Sequence, residues 1–199
     1  MNSKLKLPVP LAPYAGVIYF VVILMVSHFA WKFTVLGDES DLIVTFAGYD
    51  ISAPFNFMAS HVARATYFCL HLIGSDIRLE PWNVLRYPND VAVRIVWSCT
   101  ALKQAYIFFC IIAFYKGPFL KKMWFIPVGL VLVYVFNIFR ISAITFLIEK
   151  HPDWFQFLHE QLFKYMYYAV IFGMWVYWEE RICKRNISLI TERNSEVNS

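Results

Sequence analysis

Residues 123–148 read MWFIPVGLVLVYVFNIFRISAITFLI, a run of 26 in which Arg140 is the one charged side chain. About 20 apolar residues suffice for a helix to cross the hydrocarbon core, so the run predicts a membrane span. A guanidinium inside such a span costs about 2.5–3.5 kcal/mol on insertion scales and cannot easily be neutralised. Arg140 lies about eight residues, roughly 12 Å along the helix, from the end of the run at Ile148. Asn137, at i−3, shares its face and is expected to help hold the guanidinium. The plainer alternative has Arg140 snorkelling, or pairing with Asp153 or Glu149.

The rest of the chain has the same character. Of its 199 residues 59% are apolar and 19% aromatic, and only 16% are charged; globular proteins have roughly 45–50% apolar residues. This excludes a water-soluble domain, a disordered chain and low-complexity sequence. The net charge of +4 comes from clusters beside apolar runs. It reads as membrane orientation and headgroup contact, with no nucleic-acid footprint. Cys69, Cys99, Cys110 and Cys183 show neither CxxC nor zinc-type Cys/His spacing, so neither a disulfide framework nor a structural metal is expected.

Residues 7–31 carry no charge and predict a first span; they exceed the apolar core of a signal peptide, and no small-x-small cleavage site follows. Lys4 and Lys6 precede this run and Asp38, Glu39 and Asp41 follow it, placing the N-terminus in the cytoplasm. The KGPFLKK turn at 116–122 and the basic cluster Arg181, Lys184 and Arg185 also belong inside. Pro54 to Ile73 then cannot cross, and is expected to lie on the outer face as an interfacial or shallow re-entrant helix. Its Asn56, Ser60, Arg64 and His71 fall within an arc of about 80°. Residues 74–98, with alternating Val91, Val93 and Ile95 and the turn signal Pro88-Asn89-Asp90, predict a hairpin-like cap. Spans from Cys99 to Tyr115, over 123–148 and from about Trp154 or His159 to Trp178 complete the expected architecture. It is an all-α integral membrane protein of about four transmembrane helices, an outer interfacial helix and a short extracytoplasmic hairpin. Residues 1–180 form a single domain and 181–199 a polar, mobile cytoplasmic tail.

Three residues can carry chemistry together. Cys99 opens its apolar run with Thr100 beside it and Lys103 one helical turn on; a helix N-terminus and a cation both favour the nucleophilic thiolate. Arg140 supplies a cation for a developing oxyanion. His159, at the start of the last run, can move a proton. Taken singly, Cys99 is better read as a packing residue, and a disulfide with Cys69 stays open. His28, His61 and His71 are read as packing or interfacial residues. His159-Glu160 is not followed by the second histidine of HExxH, which excludes that metalloprotease pattern.

The stretch LIGSDIRLEPWNVLRYPNDVAVRIVWSCTALKQ, then NIFRISAITF, then the histidine of FLHEQLF, resembles the exosortase/archaeosortase family of integral-membrane cysteine transpeptidases in its short bacterial form. The resemblance runs from about Ala53 to Trp178. Cys99-Thr100, Asn137 to Arg140 and His159 match the family's Cys-Ser/Thr-Gly, Asn-x-x-Arg and His elements in order and spacing. Ala101 stands where the family usually has glycine, and the glycines that often follow the histidine are missing. The resemblance implies a bacterial inner-membrane enzyme with Cys99, Arg140 and His159 catalytic and facing the extracytoplasmic side. Its substrates would be membrane-tethered proteins with C-terminal sorting signals, transferred to an acceptor nucleophile without any cofactor. The competing expectation is a non-catalytic assembly or carrier subunit that binds an anionic lipid or polymer headgroup.

Overall fold

The computed structural model describes residues 14–38 and 43–184. Two helices are long and apolar enough to cross a membrane: α1, Ala15–Thr34, and α4, Phe119–Ile148. At 1.5 Å per residue the 30 residues of α4 extend about 45 Å, more than the thickness of a hydrocarbon core. Two shorter helices pack with them, α3 (Leu102–Phe114) and α5 (Phe163–Tyr177). Widened helical turns extend α5 at both ends, over Phe157–Leu162 and Trp178–Lys184. The second carries helix beyond Arg181 and buries Cys183; residues 185–199 of the expected tail lie outside the described residues.

Apolar side chains fill the centre of this group, among them Phe20 of α1, Phe108 and Ile111 of α3, Val133 of α4, and Ile171 and Trp175 of α5. Gly129 lets α3 and α4 approach closely, since a Cβ there would lie 2.0 Å from Phe108 Cζ. The exterior is apolar as well: Leu120 is 82% exposed and Trp124 76%. Large apolar side chains turned outward along several helices are what a lipid environment solvates and water does not.

Two small antiparallel sheets adjoin the helices. In the first, β1 (Val35–Asp38), β2 (Ile43–Phe46) and β3 (Tyr49–Asp50) pair in order, with β1 continuing directly from α1. No expectation from the sequence covered this sheet, whose strands are too short to show a period; Glu39 and Asp41 of the acidic stretch lie outside the described residues. The second comprises β4 (Arg78–Glu80), β5 (Val84–Arg86) and β6 (Ala92–Arg94), a three-stranded meander where a hairpin was expected. Its last connection turns through Pro88-Asn89-Asp90, with Asp90 at φ 65° and the Tyr87 N–H donating to the Val91 carbonyl. The molecule is therefore mostly helical, not all-α.

Between the sheets lies α2, Ser52–Leu72. Ala59, Val62, Ala63, Thr66 and Leu70 recur at helical spacing and are buried. Val62, Ala63 and Leu70 join Leu85 and Tyr87 from the second sheet segment, Ile141 of α4 and Cys99 in one apolar cluster. This packing fixes Cys99 between the second sheet and α4.

Candidate active site

Trp97–Thr100 form one 3₁₀ turn, closed by Ala101 in the left-handed conformation at φ 60°, ψ 12°. The helix begins only at Leu102, so Cys99 precedes α3 where the sequence suggested a place in its first turn. The expected same-face register of Cys99 and Lys103 therefore does not exist, because a left-handed residue cannot continue a right-handed helix. Within the turn, the Cys99 N–H donates to the Val96 carbonyl at 2.9 Å and Thr100 Oγ1 donates to the Trp97 carbonyl at 2.7 Å. Thr100 thus shapes the loop that presents Cys99.

Asn137 ties this loop to α4. Its Nδ2 donates to the Cys99 carbonyl at 2.7 Å in a fully buried contact. The expectation that Asn137 holds Arg140 is corrected: the amide grips the backbone of the cysteine, 38 residues earlier in the chain. One turn further along α4, Arg140 is 7% exposed, with its Cζ 5.8 Å from the centre of the Tyr167 ring. The Tyr167 hydroxyl donates to the Val133 carbonyl at 3.2 Å, which fixes that ring. Among the described residues Arg140 Nε has no hydrogen-bond partner and no carboxylate pairs with the guanidinium, so neither Asp153 nor Glu149 neutralises it. The guanidinium is close enough to Cys99 for a thiolate there to feel its charge.

The Cys99 thiol itself is buried within the apolar cluster beneath the second sheet. None of the four cysteines forms a disulfide, so the pairing of Cys99 with Cys69 is absent. A cavity of about 900 Å³ opens among four elements; Ser98 lines it, whereas Cys99 does not. Arg140 forms part of its wall, with Ser98, Lys103 and Gln104 on one side, His28 and Lys32 from α1, and Gln161, Lys164 and Tyr168 from the α5 region. His28, read from the sequence as a packing or interfacial residue, lines this cavity, with its Nδ1 3.4 Å from the Tyr168 hydroxyl. A larger groove of about 1210 Å³ between α4 and α5 is mainly apolar, and none of its lining residues is one of these candidates.

The backbone of His159 lies in the widened turn Phe157–Leu162, and its side chain is outside what the structure describes. Leu158 of that turn packs on Ile144 and Ile148, so the turn sits at the end of α4 just beyond Arg140. Sequence reasoning missed Lys32, Gln161, Lys164 and Tyr168 as neighbours of the site. They come from separate helices, so no spacing along the chain relates them.

Two membrane-capable helices and a cavity lined by charged and polar side chains accord with an integral membrane protein. The sequence pattern of the transmembrane exosortases matches residues 12–178, and the chain belongs to that family. Membership implies, in general terms, a membrane transpeptidase role in protein sorting. No curated protein and no solved structure matches the chain.

Proposed function

We propose that the protein is a membrane-embedded cysteine transpeptidase that cleaves the C-terminal sorting signals of exported, membrane-tethered proteins and passes them to an acceptor. The observation that carries this reading is the Asn137 amide on the Cys99 carbonyl, with Arg140 one turn away, buried and without an acidic partner among the described residues. A nucleophile loop and a cation are thereby held on one rigid helix, as preorganised stabilisation of a developing charge requires.

In this mechanism the Cys99 thiolate attacks the scissile carbonyl, and Arg140 stabilises first the thiolate and then the oxyanion. His159 carries the proton to the leaving amine. The thioester is resolved by an acceptor nucleophile. Lateral access of the substrate between helices keeps water from the thioester and favours transfer over hydrolysis. Four spans, formed by α1, α3, α4 and the α5 region, would place both sheets and this site on the extracytoplasmic side of a bacterial inner membrane. The basic clusters at 116–122 and 181–185 would then lie inside, in accord with the charge rule for cytoplasmic loops.

The test is to isolate the protein from its native envelope and seek an adduct on Cys99 that neutral hydroxylamine releases. The expected result is an adduct in the wild type that is lost in Cys99→Ala and accumulates when His159 is replaced. Processing should persist in Cys110→Ala and Cys183→Ala; its loss in Cys183→Ala alone would refute the assignment of Cys99.

The burial of Cys99 in an apolar cluster favours one second reading, in which the cysteine only packs and the basic cavity serves a non-catalytic carrier or assembly subunit. Full tolerance of Cys99→Ala, with no adduct in the wild type, would establish that reading.

A further inference from the structure

The cavity of about 900 Å³ has a charge content that the chemistry at Cys99 does not explain. One buried guanidinium suffices for an oxyanion, yet Lys32, Lys103 and Lys164 converge on the same space from α1, α3 and α5. No described residue in its wall is an acid, and the two ion pairs among the described residues, Arg86 with Glu80 and Lys116 with Glu179, lie elsewhere. The three lysines are close enough for His28 to feel all of their charges. Lys103 is half-buried while Lys32 and Lys164 are exposed, and an anion entering among the four cations is attracted by all of them. Arg140 adds an independent feature: it is more than nine-tenths buried, lines this cavity, and among the described residues no carboxylate pairs with it.

We propose that Lys32, Lys103, Lys164 and Arg140 form a binding site for a phosphate group. A carboxylate carries one charge in one plane, whereas a phosphate presents tetrahedral oxygens to donors arriving from several helices. Gln104 and Tyr168 add neutral polar groups to the wall. At about 900 Å³ the space exceeds what an inorganic phosphate fills and lies within the range of sites for organic ligands. The phosphate can come from a lipid headgroup or from a soluble phosphoester. The site does not depend on Cys99 being a nucleophile.

The test uses the full chain in maltoside micelles, which contain no phosphate. Inorganic phosphate, glycerol 3-phosphate, phosphatidic acid and phosphatidylglycerol are titrated at constant ionic strength, with tryptophan fluorescence and the thermal midpoint as readouts. Wild type should bind at least one probe, and the Lys32→Gln/Lys164→Gln double variant should bind it at least about tenfold more weakly, roughly a 1.4 kcal/mol difference. The Lys116→Gln/Lys121→Gln variant, altered at the far end of the molecule, should match wild type, and Lys32→Arg/Lys164→Arg should retain binding. Saturation by the water-soluble probes assigns a soluble phosphoester; a response to the two lipids alone assigns a headgroup. Binding of no probe, equal affinity in the Gln double variant, or failure of the Arg variant to bind overturns the proposal. Because this readout is binding, it fails or succeeds separately from the adduct on Cys99.

Discussion

The two ends of the helical group treat basic side chains in opposite ways. At the end where α3 turns into α4, Lys116 and Lys122 have structural partners. Lys122 donates to the carbonyls of Ala113 (2.8 Å) and Tyr115, which the end of α3 leaves free, and Lys116 pairs with Glu179 at 2.9 Å. The Lys116 carbonyl accepts from Trp178 Nε1 at 3.0 Å and from the Cys183 thiol at 3.2 Å. At the other end, Lys32, Lys103, Lys164 and Arg140 surround open space without an acid in the described wall. The same residue type closes a helix terminus in one place and waits for an anion in the other. Charge alone therefore says little about function; the informative feature is whether the protein supplies the partner.

The contrast can be broken most severely at Arg140. Arg140→Lys keeps the charge and loses the planar fork, and processing of a sorting-signal substrate should fall by roughly 100-fold or more. Wild-type rates in that variant would remove any directional role for the guanidinium. At the closed end, Lys122→Gln should lower unfolding stability in detergent by about 1.5–3 kcal/mol, as expected for charge-assisted bonds to helix-end carbonyls. Lys164→Gln at the open end should leave stability unchanged within about 0.5 kcal/mol. Equal losses in the two variants would erase the distinction between the ends.

A smaller effect probes strain at the open end. Ala101→Gly removes the Cβ penalty of the left-handed conformation and should stabilise the protein by up to about 1 kcal/mol; a loss of stability in thermal unfolding would contradict the strain. The smallest lies outside the membrane-capable helices. Asp50 Oδ1 accepts from the Ser52 N–H at 2.8 Å and from its hydroxyl at 2.5 Å, and these bonds hold the carboxyl below its ordinary value of 3.8. A depressed carboxyl contributes stability above its unfolded-state value and loses it as the pH falls through its folded-state value. Asp50→Asn should therefore lower the thermal midpoint slightly at pH 7 and match wild type at about pH 2. A difference that persists in acid would assign the effect to the shape of the turn and not to its charge.

Several features were legible in the residues themselves. The apolar runs at 7–31 and 123–148 announce α1 and α4, because insertion into lipid depends on composition over a window and not on neighbours. The lone charge at Arg140 and the Cys-Thr, Asn-x-x-Arg and His elements pointed to the exosortase family that the wider sequence match then showed. The break before α3 was hidden, since alanine occupies a left-handed position that glycine would have marked. The first sheet was hidden too, in strands of two to four residues.

By itself, then, the sequence determined that this is a membrane protein, where its longest helices lie, and which buried cation demands an explanation. Those properties are local, set by hydropathy and by the cost of a charge in lipid. Only the tertiary structure decided that Asn137 holds the Cys99 carbonyl in place of Arg140, that His28 faces a cavity, and that lysines from three helices share it. Such pairings depend on which helix faces meet across the group, and no periodicity along one segment encodes its partner in another.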